Sequence, residues 1–287
     1  MSEPVPSPRP RTDRPTALVT GATAGLGARY AAQLAERGHD LVLVARDEER
    51  LARSAVELRS RYGVEVEVLP ADLSERASLQ RVADRVADAA RPVDVLVNNA
   101  GFGLKQRFAD GDLVAHEQMF DVLCRAVMVL SRAAAGAMAA RGRGRIVNIA
   151  SVAGFVAGGG HYSAAKAYVA LLTETLHQEL SGTGVTATAV APGFVRTEFH
   201  ARAGMKSGGT DSPAWLDADE VVRVSLDDAF AGKVLSVPTK RYKALMGVLD
   251  VVPRALVRTV WGKATWGAAR RHPSGPGQHT LGNTPEQ

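Results

Sequence analysis

The feature that most restricts the fold of this 287-residue chain is a regular alternation of short apolar runs and amphipathic segments, which starts at Thr16. Apolar runs of this kind, each followed by a helical pattern, are typical of parallel strands buried on both faces. The predicted strands are 17–19, 41–45, 64–69, 93–97, 145–150, 185–191 and 234–237, and the predicted helices lie near 25–37, 47–61, 74–89, 113–140, 162–181 and 218–231. This order predicts an α/β fold with a doubly wound parallel sheet and helices on both of its faces.

The two ends of the chain differ from this central pattern. Residues 1–14 carry four prolines among serines and arginines, which predicts a disordered arm. Residues 15–239 are predicted to form a single Rossmann-like domain. Residues 240–271 are predicted to be a basic amphipathic extension, with apolar positions 245, 248, 249, 252, 256, 257 and 260 near one face. Residues 272–287 are rich in Gly, Pro and polar groups, which predicts a flexible tail.

The net charge of +5 is unevenly distributed. Residues 240–271 carry +7, so the rest of the chain carries −2 and lacks the broad basic surface that nucleic-acid binding requires. We therefore expect no nucleic-acid partner. The basic extension also contains Trp261 and Trp266, a composition that suits weak peripheral contact with a membrane. Packing of the extension against the body or a second subunit is the alternative, and both stay open.

Cysteine content and hydropathy restrict the class of protein further. Cys124 is the single cysteine, which excludes an intramolecular disulfide and a thiolate metal cluster. We expect no metal site. No N-terminal segment has the pattern of a signal peptide, and no uninterrupted apolar run reaches the ~18 residues that span a bilayer. The expected location is the cytoplasm.

A glycine-rich turn follows the first predicted strand. Residues 20–27 read Thr-Gly-Ala-Thr-Ala-Gly-Leu-Gly and lead into a helix. Glycines allow the backbone to approach a pyrophosphate closely, and the helix N-terminus offers free N–H groups to the anion. The candidate cofactor-binding residues of this turn are Gly21, Thr23, Gly25, Leu26 and Gly27.

Arg46 follows the second predicted strand, where an acid would accept a hydrogen bond from a ribose 2′-hydroxyl. A guanidinium at this point suits a 2′-phosphate instead, so Arg46 favours NADP(H). Asp47 beside it weakens this reading slightly, although an acid is also favoured in the first turn of a helix.

Ser151, Tyr162 and Lys166 are the candidate catalytic residues. Tyr162 and Lys166 are four residues apart, so they share one face of a predicted helix, while Ser151 ends the preceding strand. An isolated phenol has a pKa of about 10, and a nearby ammonium favours the phenolate. The spacing therefore predicts a tyrosine that transfers a proton near neutral pH.

These motifs, in this order, make residues 16–238 resemble the short-chain dehydrogenase/reductase family. The resemblance implies hydride transfer between NADP(H) and a carbonyl or alcohol substrate, with Tyr162 as general acid/base, Lys166 also on the nicotinamide ribose and Ser151 on the substrate oxygen. It places Asp72 and Leu73 against adenine. It places Asn98, Ala100 and Gly101 in an Asn-Asn-Ala-Gly turn that lies under the cofactor and braces the central sheet, and a purely structural role for Asn98 stays open. It places Pro192, Gly193, Val195 and Thr197 around the nicotinamide carboxamide. It also implies a homo-oligomer, a dimer or tetramer, formed through helices 113–140 and 162–181.

The chain departs from the family pattern at two points. Leu123 stands where the family usually carries an Asn that organises a proton-relaying water, and the interval from Ser151 to Tyr162 is about two residues shorter than the resemblance implies. Two alternatives therefore stay open. One is an NADP(H)-binding sensor or scaffold with impaired catalysis, and the other is a sugar-nucleotide epimerase or dehydratase.

The substrate is less restricted by the sequence than the cofactor. A glycine-containing segment over 200–213 follows the nicotinamide turn and predicts a mobile lid. The apolar residues Phe102, Phe155, Phe194 and Phe199 favour a hydrophobic ketone or alcohol. His161 adjoins Tyr162, but the resemblance gives it no role.

Overall fold

The computed structural model of the protein describes residues 14–104, 106–156, 160–197 and 215–252. These ranges include the predicted sheet and the start of the predicted extension. Residues 1–13 of the predicted arm, the predicted lid over 200–213, the extension from 253 and the predicted tail lie outside the described residues.

The described residues contain one sheet of seven parallel strands. The strands are β1 (Thr16–Thr20), β2 (Asp40–Ala45), β3 (Val66–Pro70), β4 (Val95–Asn98), β5 (Gly144–Ile149), β6 (Val185–Val190) and β7 (Leu235–Ser236). Their order is β3-β2-β1-β4-β5-β6-β7. Because β1 and β4 are neighbours, the connections run in opposite directions on either side of this pair, and a crevice forms at the carboxyl ends of the two strands.

Helices cover both faces of the sheet, which confirms the predicted doubly wound fold. Tyr30, Leu51 and Leu226 are buried on one face, and Leu79 and Leu130 on the other, because alternate strand residues point to opposite sides. The helices are α1 (Gly25–Glu36), α2 (Glu48–Tyr62), α3 (Arg76–Ala87), α4 (Leu113–Phe120), α5 (Ala126–Arg141), α6 (Gly160–Glu179), α7 (Ala218–Phe230) and α8 (Lys240–Val251). Helices α1, α2 and α7 lie on the first face, and α3, α5 and α6 on the second.

A π-helical turn, Asp121–Arg125, joins α4 to α5, so the helix is continuous over Leu113–Arg141. By length and composition, it is the one helix in the described ranges that could cross a membrane. Its apolar residues are interrupted by Ser131 and Arg132, and Leu130 and Met138 are fully buried beneath the sheet. Core packing therefore accounts for part of its apolar content.

Asp228 ties α7 to β7, the short edge strand. Its two carboxylate oxygens accept hydrogen bonds from Lys233 Nζ at 2.5 Å and from Ser236 Oγ at 2.7 Å. Burial alone would raise the pKa of Asp228, but these two donors outweigh it and hold the pKa below its usual value. The carboxylate is thus the folded-state form of this group.

Helix α8, the first part of the predicted extension, packs on the body of the domain. Its inward side chains are Tyr242 and Met246, which contact Ala191 and Val237. The sequence predicted a different apolar face, but Val248 of that face is 54% exposed. Packing of this helix on the body agrees with one of the alternatives that the sequence left open, although the side chains that face inward are not those of the predicted apolar face.

Candidate active site

Thr20, the last residue of β1, holds together the two turns that line the crevice. Its hydroxyl accepts hydrogen bonds from the backbone N–H groups of Asn99 and Ala100, at 2.9 and 3.0 Å. The Asn99 side-chain amide donates to the carbonyl oxygen of Thr20 at 2.9 Å. These bonds fix the glycine turn after β1 against the Asn-Asn-Ala-Gly turn after β4.

Nearby backbone atoms leave no space for a side chain at two glycines of this turn. Gly21 has a left-handed backbone with φ 66°, and a Cβ there would lie 2.9 Å from Ala100 Cα. A Cβ on Gly27 would lie 2.1 Å from the carbonyl oxygen of Gly21. Backbone atoms without side chains therefore form the floor of the crevice here, so a ligand can approach it closely.

The N-terminus of α1 opens into this crevice and suits an anion. Its N-cap residue is Ala24, which gives no side-chain cap, and its first turn contains no acid. The backbone N–H groups of that turn are therefore available to a phosphate oxygen. Together with the backbone-only floor, this donor set fits a dinucleotide pyrophosphate.

The turn after β6 meets the same helix end. Thr197 lies against Gly25, because a Cβ on that glycine would be 3.4 Å from Thr197 Cβ. Val195 packs with Leu26. The structure thus brings the predicted nicotinamide-binding turn beside the predicted pyrophosphate-binding turn, and Thr23 lies half-buried in the latter.

Arg46 and Asp72 face each other at the carboxyl ends of β2 and β3. Their closest side-chain atoms, Nη1 and Oδ2, are 3.9 Å apart, and the Arg46 side chain is 76% exposed. The other oxygen of Asp72 accepts from Ser74. The Asp47 carboxylate caps α2 by accepting from the N–H of Arg50 at 2.9 Å. Asp47 therefore has a structural role, and Arg46 remains available for a 2′-phosphate.

Two of the predicted cofactor-binding residues point into the protein instead. The Leu73 side chain is buried in the core beside α3, so it offers little surface to adenine. The Asn98 amide donates to Asn148 Oδ1 at 2.8 Å and to Ser131 Oγ at 3.1 Å. Asn148 in turn donates to Thr173 of α6 at 3.0 Å. Asn98 therefore braces the strands beneath the site, whereas Ala100 and Gly101 lie at its edge.

The three candidate catalytic residues converge at the start of α6. The hydroxyls of Ser151 and Tyr162 are hydrogen-bonded to each other. Lys166 Nζ lies 5.8 Å from the centre of the Tyr162 ring and donates to the carbonyl oxygen of Ile149 at 2.6 Å. The predicted grouping of Ser151, Tyr162 and Lys166 is therefore present in the structure.

The pKa of Tyr162 differs from the sequence-based expectation. Burial raises it to about 12, although the bond to Ser151 opposes this shift. Burial also lowers the pKa of Lys166 to about 8. Desolvation is the largest influence on the pKa of both groups, because both are withdrawn from water. The protonated phenol is therefore the favoured form of Tyr162 at neutral pH.

Leu123, at the position of the family's usual Asn, lies in the π-helical turn and is fully buried. It packs with Met119, Phe102 and Tyr162. A Cβ on Gly101 would come within 2.7 Å of Leu123 Cδ2, so this side chain fills the space behind the Asn-Asn-Ala-Gly turn. The surface behind Tyr162 is apolar, and the Ile149 carbonyl holds Lys166 from the strand side.

The short interval between Ser151 and Tyr162 contains a tight turn. A 3₁₀ turn, Val152–Phe155, begins with the N–H of Ala153 donating to Ser151 Oγ at 3.2 Å. Gly154 lies directly on α6, where an added Cβ would be 2.8 Å from the backbone nitrogen of Ala167. This close approach shortens the path from β5 to α6. Residues 157–159 lie outside the described residues.

His161, next to Tyr162 in sequence, takes part in an aromatic cluster. Its Nδ1 is 3.3 Å from His116 Nδ1, and its ring lies near Phe108 and Phe120. Burial, together with His116, lowers the pKa of His161. Among the residues that the structure describes, no group of three or more His, Cys, Asp or Glu could hold a metal ion.

Sequence reasoning missed several residues that build the site. Thr20 and Asn99 hold the two turns together, the Ile149 carbonyl holds Lys166, and Tyr242 lies on Gly193. The position of Thr20 at the start of the glycine motif gave a signal for its role. The other contacts join residues far apart in sequence, so no local pattern in the sequence signals these contacts.

Comparisons with known proteins agree with this geometry. A family model described as short chain dehydrogenase matches residues 15–207. A solved short-chain dehydrogenase from Sphingobium yanoikuyae, in complex with NADPH, is 38% identical with a TM-score of 0.75, over 84% of this chain and 97% of that one. A bulky-bulky ketone specific alcohol dehydrogenase from Comamonas testosteroni is 32% identical with a TM-score of 0.72, over 85% and 97%.

A curated relative extends the likeness along the chain. An NADP-dependent 3-hydroxy acid dehydrogenase from Salmonella typhi is 33% identical over 251 residues, which is 86% of this chain and 88% of the relative. The family model alone covers well over half of the chain, and the residues that it spans form the crevice described above. This chain therefore belongs to the short-chain dehydrogenase/reductase family of oxidoreductases.

Proposed function

We propose that the protein is an NADP(H)-dependent oxidoreductase that interconverts a hydrophobic ketone or aldehyde and the corresponding alcohol. The observation that carries this proposal is the hydrogen bond between the Ser151 and Tyr162 hydroxyls, with Lys166 one helical turn away, beside a crevice that suits a dinucleotide. Arg46 supports NADP(H) over NAD(H). The solved relative in complex with NADPH and the NADP-dependent relative support the same choice.

In this proposal each residue has one step. When bound in the crevice, NADPH would supply the hydride for the carbonyl carbon of the substrate. Tyr162 gives its phenolic proton to the carbonyl oxygen as the C=O double bond becomes a C–O single bond, and Ser151 donates a hydrogen bond to the same oxygen. Lys166 stabilises the phenolate that remains until Tyr162 regains a proton from solvent.

The raised pKa of Tyr162 supports the acid role that this mechanism gives the residue. Burial favours the protonated phenol, and the protonated phenol is the form that donates a proton to the carbonyl oxygen.

Apolar side chains near the phenol support a hydrophobic substrate. Phe102 packs with Leu123 beside Tyr162, and Phe155 lies in the turn after Ser151. Phe194 is 53% exposed at the turn after β6, with its ring 5.8 Å from that of Trp215. The relative from Comamonas testosteroni is described as a bulky-bulky ketone specific alcohol dehydrogenase, which agrees with this substrate class.

The proposed function is tested by NADPH oxidation with a panel of hydrophobic ketones, aldehydes and quinones. Loss of the acid in Tyr162→Phe is expected to lower kcat by about 10²- to 10⁴-fold while NADPH still binds. Tyr168→Phe, on the same helix but 37% exposed, is the matched control and should keep the wild-type rate. NADPH binding without turnover of any carbonyl would favour the sensor or scaffold alternative. Full activity in Tyr162→Phe would contradict the mechanism.

We also propose a homo-oligomer, in the cytoplasm, without a nucleic-acid partner. Phe120, Met128, Tyr168 and Leu171 are exposed apolar residues on the helices that the family resemblance assigns to subunit contact. A weak contact with anionic lipid is proposed for the extension, because Lys240, Arg241 and Lys243 are exposed on α8. Failure of the purified protein to bind anionic vesicles at low salt would remove the membrane proposal.

A further inference from the structure

Tyr242 of α8 lies directly on Gly193, in the turn after β6. A Cβ added to Gly193 would lie 2.0 Å from Cζ and 2.1 Å from Cε2 of the Tyr242 ring. The Tyr242 hydroxyl oxygen accepts a hydrogen bond from the backbone N–H of Phe194 at 3.3 Å. One aromatic side chain therefore covers the turn and also bonds to it.

The position of this ring is itself fixed by α8. The Thr239 hydroxyl caps the helix by accepting from the N–H of Tyr242, and Met246, one turn further on, is 6% exposed. Both inward side chains pack with Val152 and Phe155 of the turn that follows Ser151. Helix α8 thus contacts the segment after β5 and the segment after β6 at the same time.

The ring of Tyr242, and not the backbone of the turn, explains why only a glycine fits at position 193. Gly193 does not have a left-handed backbone, so an alanine could adopt its conformation without strain. The obstacle to a side chain at this position is the ring of Tyr242. The glycine is therefore matched to the tyrosine, although the two residues are forty-nine positions apart in the sequence.

From this contact we propose that Tyr242 is a positioning residue for the nicotinamide half of the cofactor. Its ring and hydroxyl hold the turn at Pro192–Phe194, so that the backbone meeting the carboxamide is set before the cofactor binds. Preorganisation of this kind lowers the ordering cost of binding. The inference rests on the proposed function, because it assigns the turn to the nicotinamide.

The experiment measures binding of two probes, NADPH and adenosine 2′,5′-bisphosphate, which lacks the nicotinamide half. The variants are Tyr242→Phe, Tyr242→Ala, Gly193→Ala and the double variant Gly193→Ala with Tyr242→Ala. Val248→Ala, on the exposed side of α8, is the matched control. Circular dichroism and the melting temperature of each variant report folding.

The expected result is a loss confined to NADPH. Tyr242→Phe removes one hydrogen bond, which should weaken NADPH binding about two- to tenfold. Gly193→Ala forces the ring and the turn apart, which should weaken NADPH binding about ten- to hundredfold. In the double variant the added methyl group no longer meets the ring, so its affinity should return to within about threefold of that of Tyr242→Ala. Adenosine 2′,5′-bisphosphate should bind all variants as it binds the wild type.

Three results would overturn the inference. Equal weakening of both probes would show a general structural effect, and additive losses in the double variant would show that the two residues do not act through each other. Wild-type NADPH affinity in Tyr242→Phe and Tyr242→Ala would show that the ring positions nothing. A wild-type protein that does not bind NADPH would instead refute the proposed function itself, which keeps the two failures distinguishable.

Discussion

Arg46 is the residue on which the choice between the two nicotinamide cofactors depends in this account. Its guanidinium is largely exposed at the end of β2 and only 3.9 Å from Asp72. The acid next to it in sequence, Asp47, is occupied as the N-cap of α2. A ribose 2′-phosphate at this end of the crevice would therefore meet a cation that can form a charge-assisted bond.

Arg46→Ser is expected to remove the preference for NADPH. Loss of a hydrogen bond to a charged group corresponds to about a ten- to hundredfold fall in kcat/KM for NADPH, while the value for NADH should change little. Steady-state kinetics with both cofactors measures this ratio. Arg53→Ser, which changes an exposed arginine on α2, should leave the ratio unchanged. An unchanged ratio in Arg46→Ser would show that the 2′-phosphate is bound elsewhere.

Residues were predictable where their role depends on a local motif. Gly21, Gly27, Tyr162 and Lys166 belong to short patterns whose spacing already defines the geometry. The pKa of Tyr162 was not predictable, because it depends on burial by Leu123 and other residues distant in sequence. The contact of Tyr242 with Gly193 was missed for the same reason.

The strands and helices of the domain agreed with the apolar pattern of the sequence. The residues at which these elements begin and end, and the irregular turns between them, did not follow from that pattern. The π-helical turn Asp121–Arg125 interrupts what the sequence predicted as one regular helix. Strand β7 contains only two residues and pairs with β6 alone at one edge of the sheet. Its attachment depends on α7 through the carboxylate of Asp228.

The Asp228 contact predicts a pH dependence of stability. Its pKa is lowered in the folded protein, so its contribution to stability is present above the unfolded pKa of about 3.9 and is lost as the pH falls through the folded value. Asp228→Asn should lower the free energy of unfolding at pH 7 by about 1 to 3 kcal/mol. Denaturant unfolding of both proteins at several pH values measures the difference, which should shrink below about pH 4.

A suitable control for this measurement is Asp227→Asn, which changes the neighbouring acid on the exposed side of α7. It should cost less than Asp228→Asn, because surface ion pairs contribute about 0 to 1 kcal/mol. If the Asp228→Asn difference stayed constant from pH 7 to pH 3, the carboxylate would not be the form that stabilises β7.

On the scale of the whole molecule, the exposed apolar residues of α5 and α6 predict self-association. Leu171 is 66% exposed, and Met128 and Tyr168 are exposed on the same pair of helices. Apolar surface on two neighbouring helices is better covered by a second copy than by water. Leu171→Glu should therefore shift the protein from a dimer or tetramer to a smaller species.

Size-exclusion chromatography with light scattering measures this shift. Val56→Glu, at an equally exposed position on α2, should leave the mass of the assembly unchanged. A wild-type protein that is monomeric at micromolar concentration would contradict the proposed oligomer. It would leave the proposed chemistry untouched, because every residue assigned to the reaction comes from one chain.

The central claim is that a hydride from NADPH and a proton from Tyr162 reach the same carbonyl group. Transfer of deuterium from NADPH deuterated at both C4 positions to the carbinol carbon of the alcohol product, followed by mass spectrometry, tests it most directly. One deuterium per product molecule is expected with the wild type, and product should form at least about a hundredfold more slowly with Tyr162→Phe. Product without deuterium, or an undiminished rate in Tyr162→Phe, would contradict it.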